Sequence, residues 1–440
     1  MSLFRAGLSS FIMFSALCFG AAAAPVNDIG ALSVVGNQIR GANGEVAQLR
    51  GMSLYWSQAK AGRDFYNAGV VNWLADDWRA NIIRAAMAIE GDWSVVEKGY
   101  LSDRDGNKNR VKAVVDAAIA KGIYVIIDWH DHNATSHQSE AVSFFSEMAQ
   151  TYGSYPNVIY EIFNEPVDQS WNDIKNYSIA VINAIRQNDP DNIIVVGTPK
   201  WSSEVAEASR SPITGKTNIA YTFHFYASEK WHYNHYMNKA DSALQNGIAL
   251  FVTEWGNSEA SGNGNLNTEY MNAFMNWMEG KKLSWCNWSI SDLTETSSAL
   301  KAGSWDAQGN IVHSVSTTGG WSTSDLTASG IYTREKMIAY NRAWSPVVTI
   351  REPSIKASLS SGMDLQIITT GAGAGLKLDA GHCWLVAELF DPAGRRVWSR
   401  AVLPGKSQIV KLPGSRAAGT DVIRLTGDKG RVTAPVIIGR

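Results

Sequence analysis

A strand-like run followed by a helix-like stripe recurs along the first three quarters of the sequence. Short runs rich in β-branched and aromatic residues lie near residues 46–54, 81–86, 123–129, 158–163, 192–197, 220–225, 249–253 and 283–289. Between them lie amphipathic stripes, such as the one that ends at Gly122 and the one behind Ser170. The eight runs start roughly 30 to 40 residues apart, which is the length of a βα unit in a closed parallel barrel. The pattern therefore predicts an α/β fold, a (β/α)8 TIM barrel. A doubly wound open sheet is the alternative, although no glycine-rich phosphate loop follows an early strand.

The two ends of the sequence differ from this repeating part. Residues 1–24 hold Arg5, an apolar stretch from Phe11 to Phe19 and a run of alanines, which is the pattern of a secretory signal peptide. Residues 25–346 are predicted to form the barrel. Residues 347–440 contain short alternating runs between Gly, Pro, Asp and Ser, which predicts a small all-β, β-sandwich-like C-terminal domain. We expect the protein to be secreted, either extracellular or at the cell surface, after removal of the signal peptide.

Composition narrows the classes of ligand. The chain is 45% hydrophobic and has a formal net charge of -2, so it has no basic surface for nucleic acid or anionic membrane. The apolar stretch in the signal is too short for a membrane span. Outside the signal only Cys286 and Cys383 remain, which predicts no disulfide framework. Seventeen Trp and fifteen Tyr supply flat faces that suit sugar rings, although most aromatic residues serve packing.

Two glutamates stand where predicted strands end. The stretch VIYEIFNEP, residues 158–166, places Glu165 behind an apolar run, and the stretch FVTEWG, residues 251–256, does the same for Glu254. They are about three βα units apart, so both carboxyls are expected at the same end of the barrel. Two facing carboxylates are the machinery of glycoside hydrolysis, one as acid and one as nucleophile or base. The alternative is that Asn164 and Pro166 merely form a turn.

Further polar and aromatic residues fall at other predicted strand ends. The candidate substrate-binding residues are Arg84, His130, Asn164, His224, Tyr226 and Trp288. Arginine and tyrosine can keep a nucleophilic carboxylate ionised, an asparagine can bond the sugar 2-hydroxyl, and a tryptophan can stack under the ring. Each residue alone also has an ordinary structural explanation as a salt bridge or core residue. Their shared position at strand ends favours the functional interpretation.

The order of these motifs resembles that of a known family. The motifs are GMSLYWS (51–57), NIIRAAM (81–87), VIIDWHDH (125–132), YPNVIYEIFNEP (155–166), TFHFYA (222–227), FVTEWG (251–256) and WCNWSISDLTETSSAL (285–300). Together they resemble bacterial endo-β-1,4-glucanases of glycoside hydrolase family 5 over about residues 28 to 345. The resemblance implies a retaining cellulase that needs no cofactor, with Glu165 as acid/base and Glu254 as nucleophile. It further implies that Trp201, in TPKWS, lies on the leaving-group side.

Some positions depart from the family pattern. Tyr55 and Trp56 stand where many relatives have a histidine, and Leu293 stands where some have a lysine. These positions usually serve more distant sugar subsites, so the exact substrate stays open among cellulose, related β-glucans, mannan, xyloglucan and lichenan. A non-catalytic glycan-binding barrel is the alternative from another class, but such proteins tend to lose one glutamate. We expect the binding partner to be a β-glucan polysaccharide substrate. We also expect the protein to be a monomer.

Two segments carry weaker signals. The run from His130 to His137 is rich in His and Asp, but its spacing matches no zinc signature, so no metal is predicted. The WHYNHY segment, residues 231–236, could add a stacking wall beside the site or serve only surface packing. In the C-terminal domain the runs at 389–400 and 419–440 loosely resemble a type-IX-like secretion sorting domain. A carbohydrate-binding module is the alternative there, with only Trp384, Phe390 and Trp398 available as stacking aromatics.

Overall fold

The structure is a computed structural model that describes residues 24–91 and 97–341 in full. Between residues 366 and 437 it describes the backbone of seven strands and not their side chains. The predicted signal peptide therefore lies outside the described residues, apart from Ala24. The chain divides into two compact units between Val347 and Val348. Each unit is described by itself.

Twelve strands and eleven α-helices account for most of the described residues of the first unit up to residue 340. The strands are β1 (Ser33–Val35), β2 (Gln38–Arg40), β3 (Arg50–Leu54), β4 (Ile82–Ala88), β5 (Tyr124–His130), β6 (Val158–Glu161), β7 (Ile194–Val196), β8 (Ile219–Tyr226), β9 (Leu250–Gly256), β10 (Trp285–Ile290), β11 (Ser304–Trp305) and β12 (Ile311–Val312). The helices are α1 (Pro25–Ile29), α2 (Lys60–Arg63), α3 (Ala68–Asp76), α4 (Arg104–Lys121), α5 (Gln138–Tyr152), α6 (Trp171–Arg186), α7 (Pro199–Ser202), α8 (Val205–Arg210), α9 (Lys230–Gln245), α10 (Thr268–Lys281) and α11 (Ala328–Tyr340).

Strands β3 to β10 form a closed barrel in which β10 pairs with β3. All eight ladders are parallel, from Gly51 opposite Ile82 in β3 and β4 to Trp285 opposite Arg50 in β10 and β3. The predicted (β/α)8 barrel is confirmed. Because the strands are parallel, their carboxyl ends meet at one end of the barrel.

Two apolar cores hold the barrel together. The larger core lies between strands and helices and includes Phe144, Phe145 and Tyr160. The smaller core lies inside the barrel at the amino ends of its strands. There apolar strand side chains such as Ile126 and Ile159 pack with residues of α1 and the β1–β2 hairpin. The amino end of the barrel is thus closed by apolar side chains, which leaves the carboxyl end for polar groups.

Local signals set the helix ends as the sequence predicts. Gly122 ends α4 in the left-handed conformation, with φ 74°, which glycine adopts without steric cost. The Ser170 hydroxyl accepts a hydrogen bond from the Asp173 amide at the start of α6, which is the usual helix N-cap.

The first barrel strand is shorter than predicted. It begins at Arg50, whereas the expected run starts at residue 46. Val46 instead forms an antiparallel bridge with Arg40, and the Ala47 amide donates to the Ile39 carbonyl at 2.9 Å. These residues therefore pair with the β1–β2 hairpin and not with the barrel. The sequence did not show this, because an alternating pattern is the same whichever strand it pairs with.

The second unit contains two antiparallel sheets. One has the order β13 (Gln366–Thr370), β14 (Gly373–Leu378), β17 (Gln408–Lys411), and the other has β16 (Arg396–Ala401), β15 (Trp384–Phe390), β18 (Thr420–Gly427), β19 (Gly430–Ile437). All-β secondary structure agrees with the sequence pattern. The packing of a sandwich and the side chains of Trp384, Phe390 and Trp398 lie outside the described residues, as does Cys383.

Cys286 is a buried free thiol in β10. Among the helices of the described residues, none has both the length and the apolarity needed to cross a bilayer.

Candidate active site

A cavity of about 620 Å³ opens where the carboxyl ends of the barrel strands meet. Seven of the nine predicted site residues line it, namely His130, Glu165, Trp201, His224, Tyr226, Glu254 and Trp288. Arg84 and Asn164 do not line the cavity. They are fully buried beneath it and bonded to each other, with Arg84 Nη2 donating to Asn164 Oδ1 at 2.6 Å.

Glu254, near the end of β9, is held by two hydrogen-bond donors. Its Oε2 accepts from Arg84 Nη1 at 2.8 Å and its Oε1 accepts from the Tyr226 hydroxyl at 3.0 Å. Burial raises the pKa of Tyr226 well above its usual value, so the phenol keeps the proton that it donates. Both donors fix the orientation of the Glu254 carboxylate.

Arg84, on β4, is the centre of a buried charge cluster. Besides Glu254, its guanidinium contacts Asp128 at 2.9 Å and Glu161 at 2.7 Å, on the neighbouring strands β5 and β6. Burial would raise the pKa of Glu161, but Arg84 and His224 outweigh burial and lower it to about 2. One planar cation thus orients three carboxylates and the Asn164 amide.

Glu165, four residues beyond the end of β6, is bonded to two imidazoles. His224 Nδ1 lies 2.9 Å from Glu165 Oε1, and His132 Nε2 lies 3.2 Å from Glu165 Oε2. Burial favours the neutral carboxyl, but the two imidazole contacts outweigh it and bring the pKa of Glu165 below its ordinary range. Carboxylate oxygens of Glu165 and Glu254 lie within 4.8 Å of each other.

A chain of hydrogen bonds fixes the proton on one side of His224. The Thr253 hydroxyl donates to Glu161 Oε1 at 2.6 Å, so its oxygen accepts from His224 Nε2 at 2.9 Å. The proton at Nδ1 is then shared with Glu165. Burial opposes the charged ring, yet the bonds to Glu161 and Glu165 raise the pKa of His224 to about 9. At neutral pH the Glu165–His224 pair therefore holds one transferable proton, positioned on the imidazole.

His130, the last residue of β5, is a neutral ring with a fixed tautomer. Its Nε2 accepts from Trp56 Nε1 at 2.8 Å, so Nδ1 carries the proton and donates to Asp128 at 2.8 Å. Burial lowers the pKa of His130 to about 3. Trp288 stacks on this ring, with 5.3 Å between centroids and 14° between planes.

Tyr55 and Trp56 extend the aromatic surface started by Trp288. Tyr55 lies 5.2 Å from Trp56 and 5.2 Å from Trp288 between ring centroids. All three line the cavity. The two residues that depart from the family pattern thus form one wall of the site.

Trp201 and the WHYNHY segment form the opposite wall. Trp201 is 52% exposed and sits in a turn where Lys200, Trp201 and Ser202 all have φ near 55°, a conformation that costs energy in residues other than glycine. Within WHYNHY, His232 and Tyr236 line the cavity and stack with centroids 4.1 Å apart. Trp231, which is exposed, stacks on His235 instead.

Sequence reasoning missed two titratable cavity residues, His132 and Glu295. Glu295 follows β10, and burial raises its pKa to about 7. Both residues sit inside motifs that were recognised, VIIDWHDH and WCNWSISDLTETSSAL. The available signal was a titratable residue within a few positions of a strand end.

Two groups among the described residues have ligand atoms close enough together to hold a metal ion. They are Glu165, His224 and Glu254 in the cavity, and Glu90, Asp131 and His137 beside it. In the second group Asp131 already accepts from Trp129 Nε1, the Asn133 amide and His137 Nδ1. Hydrogen bonds within the protein account for both groups.

A parallel eight-stranded barrel with two glutamates across its carboxyl end, flanked by aromatic walls, defines a glycoside hydrolase. The family model "Cellulase (glycosyl hydrolase family 5)" matches residues 40–293. The chain therefore belongs to glycosyl hydrolase family 5.

Known proteins resemble this chain in sequence and structure. Endoglucanase Z of Dickeya dadantii is 51% identical over 269 residues, which is 61% of each chain. A Clostridium saccharobutylicum endoglucanase is 42% identical over 74% of this chain and 69% of its own length. A solved structure from Cytophaga hutchinsonii has a TM-score of 0.66 and is 48% identical in sequence. The match covers 72% of this chain and 97% of that one. The catalytic domain of Thermobifida fusca endoglucanase Cel5A has a TM-score of 0.65 at 34% identity, with 72% of this chain covering 99% of that domain.

Proposed function

We propose that the protein is a retaining endoglucanase that hydrolyses internal β-1,4-glucosidic bonds of cellulose and related β-glucans. The observation that carries the mechanism is the distance of at most 4.8 Å between oxygens of Glu165 and Glu254. Retaining enzymes have their carboxyl groups about 5 to 5.5 Å apart, whereas inverting enzymes need about 6.5 to 9.5 Å to fit a water molecule. Two of the relatives described above are named endoglucanases, which supports this activity.

The hydrogen bonds of the site assign the two roles. Glu254, held in place by Arg84 and Tyr226, attacks the anomeric carbon. The bond to the departing sugar breaks as the proton of the Glu165–His224 pair passes to the glycosidic oxygen. Water then attacks the glycosyl-enzyme, gives its proton to Glu165, and frees Glu254.

The surrounding residues position the sugar chain. Asn164 lies beneath the cavity, with its oxygen bonded to Arg84 and its Nδ2 3.4 Å from His130 Nε2, so it supports the floor under the reacting sugar, and its contact with the 2-hydroxyl stays a prediction. Trp288 with Tyr55 and Trp56 provides stacking on one side, and Trp201 with Tyr236 provides it on the other. No step requires a cofactor.

Substitution of each glutamate tests the roles separately. Glu254→Ala is expected to reduce turnover of carboxymethyl cellulose by roughly 10³-fold or more. Glu165→Ala is expected to reduce it by roughly 10² to 10⁴-fold, while a 2,4-dinitrophenyl cellobioside, whose leaving group needs no proton, still forms the glycosyl-enzyme. Near-normal activity of Glu254→Ala would contradict the mechanism.

Two further measurements test stereochemistry and substrate. Proton NMR of cello-oligosaccharide cleavage should detect the β-anomer first, and an α-anomer would exclude retention. Reducing-sugar release from cellulose, lichenan, xyloglucan and mannan should be highest on a β-1,4-glucan.

The proposal also includes location and oligomeric state. The signal-like residues 1–24 support export, and a polymeric substrate requires contact outside the cell. We propose a secreted monomer, which N-terminal sequencing of the exported protein and light scattering would test.

A further inference from the structure

Glu165 has a second imidazole neighbour that the mechanism above does not use. His132 Nε2 lies 3.2 Å from Glu165 Oε2, while the fully enclosed His224 holds Oε1. The His132 side chain is 33% exposed and the Glu165 side chain 13%. Each carboxyl oxygen of the acid/base therefore has its own imidazole, one buried and one at the cavity surface.

We propose that His132 is a positioning residue that aligns the Glu165 carboxyl and controls whether the Glu165–His224 pair holds a proton. This inference rests on the proposed function, because it assumes that Glu165 is the acid/base. The glycosidic oxygen must approach one of the two Glu165 oxygens. Oε1 is bonded to a buried ring, so Oε2 is the oxygen the substrate can reach, and His132 holds it.

The charges around His132 favour its protonated form. Its ring faces Glu165, Glu254 and its neighbour Asp131, and burial is outweighed by these carboxylates, so the pKa of His132 is raised. The nearby ring of His130, 6.5 Å away between centroids, is neutral. A cation beside Oε2 stabilises the Glu165 carboxylate and so weakens the hold of the pair on its proton.

Other titratable groups face the pair from the remaining walls. His224 and Tyr226 come from β8, Glu254 from β9, His232 from α9 and Glu295 from the segment after β10. Burial lowers the pKa of His232 to about 4, so it stays neutral above that pH. Burial raises the pKa of Glu295 to about 7, and Glu295 is unchanged in every variant compared below.

The loop that carries His132 is also held by hydrogen bonds that do not involve the Glu165 side chain. Asp131 Oδ1 accepts from the Asn133 amide at 2.8 Å, and Asp131 Oδ2 accepts from His137 Nδ1 at 2.7 Å. His137 does not contact Glu165 and does not line the cavity. It is therefore the matched control for a purely structural effect of this loop.

The test compares His132→Ala, His132→Gln and His137→Gln in the full-length protein. The pH dependence of kcat/KM is measured on a phenyl cellobioside, whose departure needs acid catalysis, and on a 2,4-dinitrophenyl cellobioside. Removing the cation strengthens proton binding by the Glu165–His224 pair. The alkaline limb of His132→Ala should therefore move to higher pH by about 1 unit, with kcat on the phenyl substrate reduced about 10-fold and little change on the dinitrophenyl substrate.

His132→Gln separates alignment from charge. Its amide can still donate to Oε2, so kcat on the phenyl substrate should recover to within about 3-fold of the parent while the alkaline limb stays shifted. His137→Gln should leave the limb in place. An unshifted limb in both His132 variants, or the same shift in His137→Gln, overturns the inference. If Glu165→Ala has strongly reduced activity, the proposed function stands even when the His132 inference fails. Near-normal activity of Glu165→Ala would contradict both the proposed function and the His132 inference.

Discussion

At the scale of single residues, Arg84 is the side chain on which the arrangement of charges depends. It is fully buried and contacts Asp128, Glu161 and Glu254, each within 2.9 Å. A buried cation shared by three carboxylates contributes to folding and to chemistry together. Removing one partner of such a cluster leaves uncompensated charge in the interior.

Arg84→Met is expected to lower the free energy of unfolding by about 3 to 5 kcal/mol and to abolish activity. The sign of its pH dependence follows from Glu161, whose pKa is lowered to about 2 in the folded protein. That carboxylate contributes stability above its unfolded pKa of about 4.3, and the contribution is lost as pH falls through 2. The deficit of the variant should thus be largest above about pH 4.5 and shrink in acid, as urea unfolding at several pH values would detect.

Arg84→Lys serves as the control because it keeps the charge but loses the planar fork. It should retain more stability than Arg84→Met while still failing to align Glu254. Equal stability losses in the two variants at all pH values would contradict the electrostatic explanation.

The residues of the site were predictable from sequence only where they follow a strand. Glu165 follows β6, and His224 and Glu254 lie in the last three residues of β8 and β9, where periodicity marks them. The predicted strand-end position of Arg84 is wrong, because Arg84 is the third of seven residues in β4. Asp128 and Glu161 escaped notice although each is a charge inside an otherwise apolar run. The shared proton of Glu165 and His224 was not predictable, because it depends on side chains from three strands meeting at hydrogen-bond distance.

At the scale of elements, the contact between β3 and β4 depends on a glycine. A Cβ atom at Gly51 would lie 1.8 Å from the Ile82 carbonyl oxygen, and real Cβ contacts of that length do not occur. Gly51→Ala must push the two strands apart at the place where the barrel starts. It should therefore lower the free energy of unfolding by about 3 kcal/mol or more.

Gly280→Ala is the matched control for this substitution. Gly280 lies in α10, and nothing is within 4 Å of its added Cβ. Alanine is the better helix former, so this variant should gain up to about 1 kcal/mol. Thermal unfolding of both variants should give a lower melting temperature for Gly51→Ala than for Gly280→Ala. Similar melting temperatures would contradict the close approach of β3 and β4.

The number of barrel strands and their order could be predicted because each strand and helix carries its own periodic pattern. The start of β3 could not, since residues 46–49 alternate like the strand that follows them. Tertiary pairing with the β1–β2 hairpin decides which residues join the barrel. The same limit applies wherever a short strand runs into another sheet.

At the scale of the whole molecule, the residues of the site come from one unit. All the side chains that line the cavity lie between Tyr55 and Glu295, and the family model covers residues 40–293. The catalytic domain of the Thermobifida fusca enzyme is matched over 99% of its length by 72% of this chain. The match spans 61% of the length of Endoglucanase Z and 61% of this chain, so a part of each protein lies outside the matched region.

A chain ending at residue 346 is expected to fold and to keep its activity on soluble substrate. The reason is that the barrel buries its own cores and that every proposed catalytic contact lies within it. The truncated and full-length proteins should have kcat/KM values on carboxymethyl cellulose that agree within about 2-fold, and the same pH profile.

Binding to insoluble cellulose, measured by pull-down, distinguishes the two roles predicted for the C-terminal region. If the region is a sorting domain, truncation leaves binding unchanged. If it is a carbohydrate-binding module, truncation removes most of the binding. A truncated protein that unfolds, or that is inactive on the soluble substrate, would contradict the assignment of residues 25–346 as an independent catalytic domain.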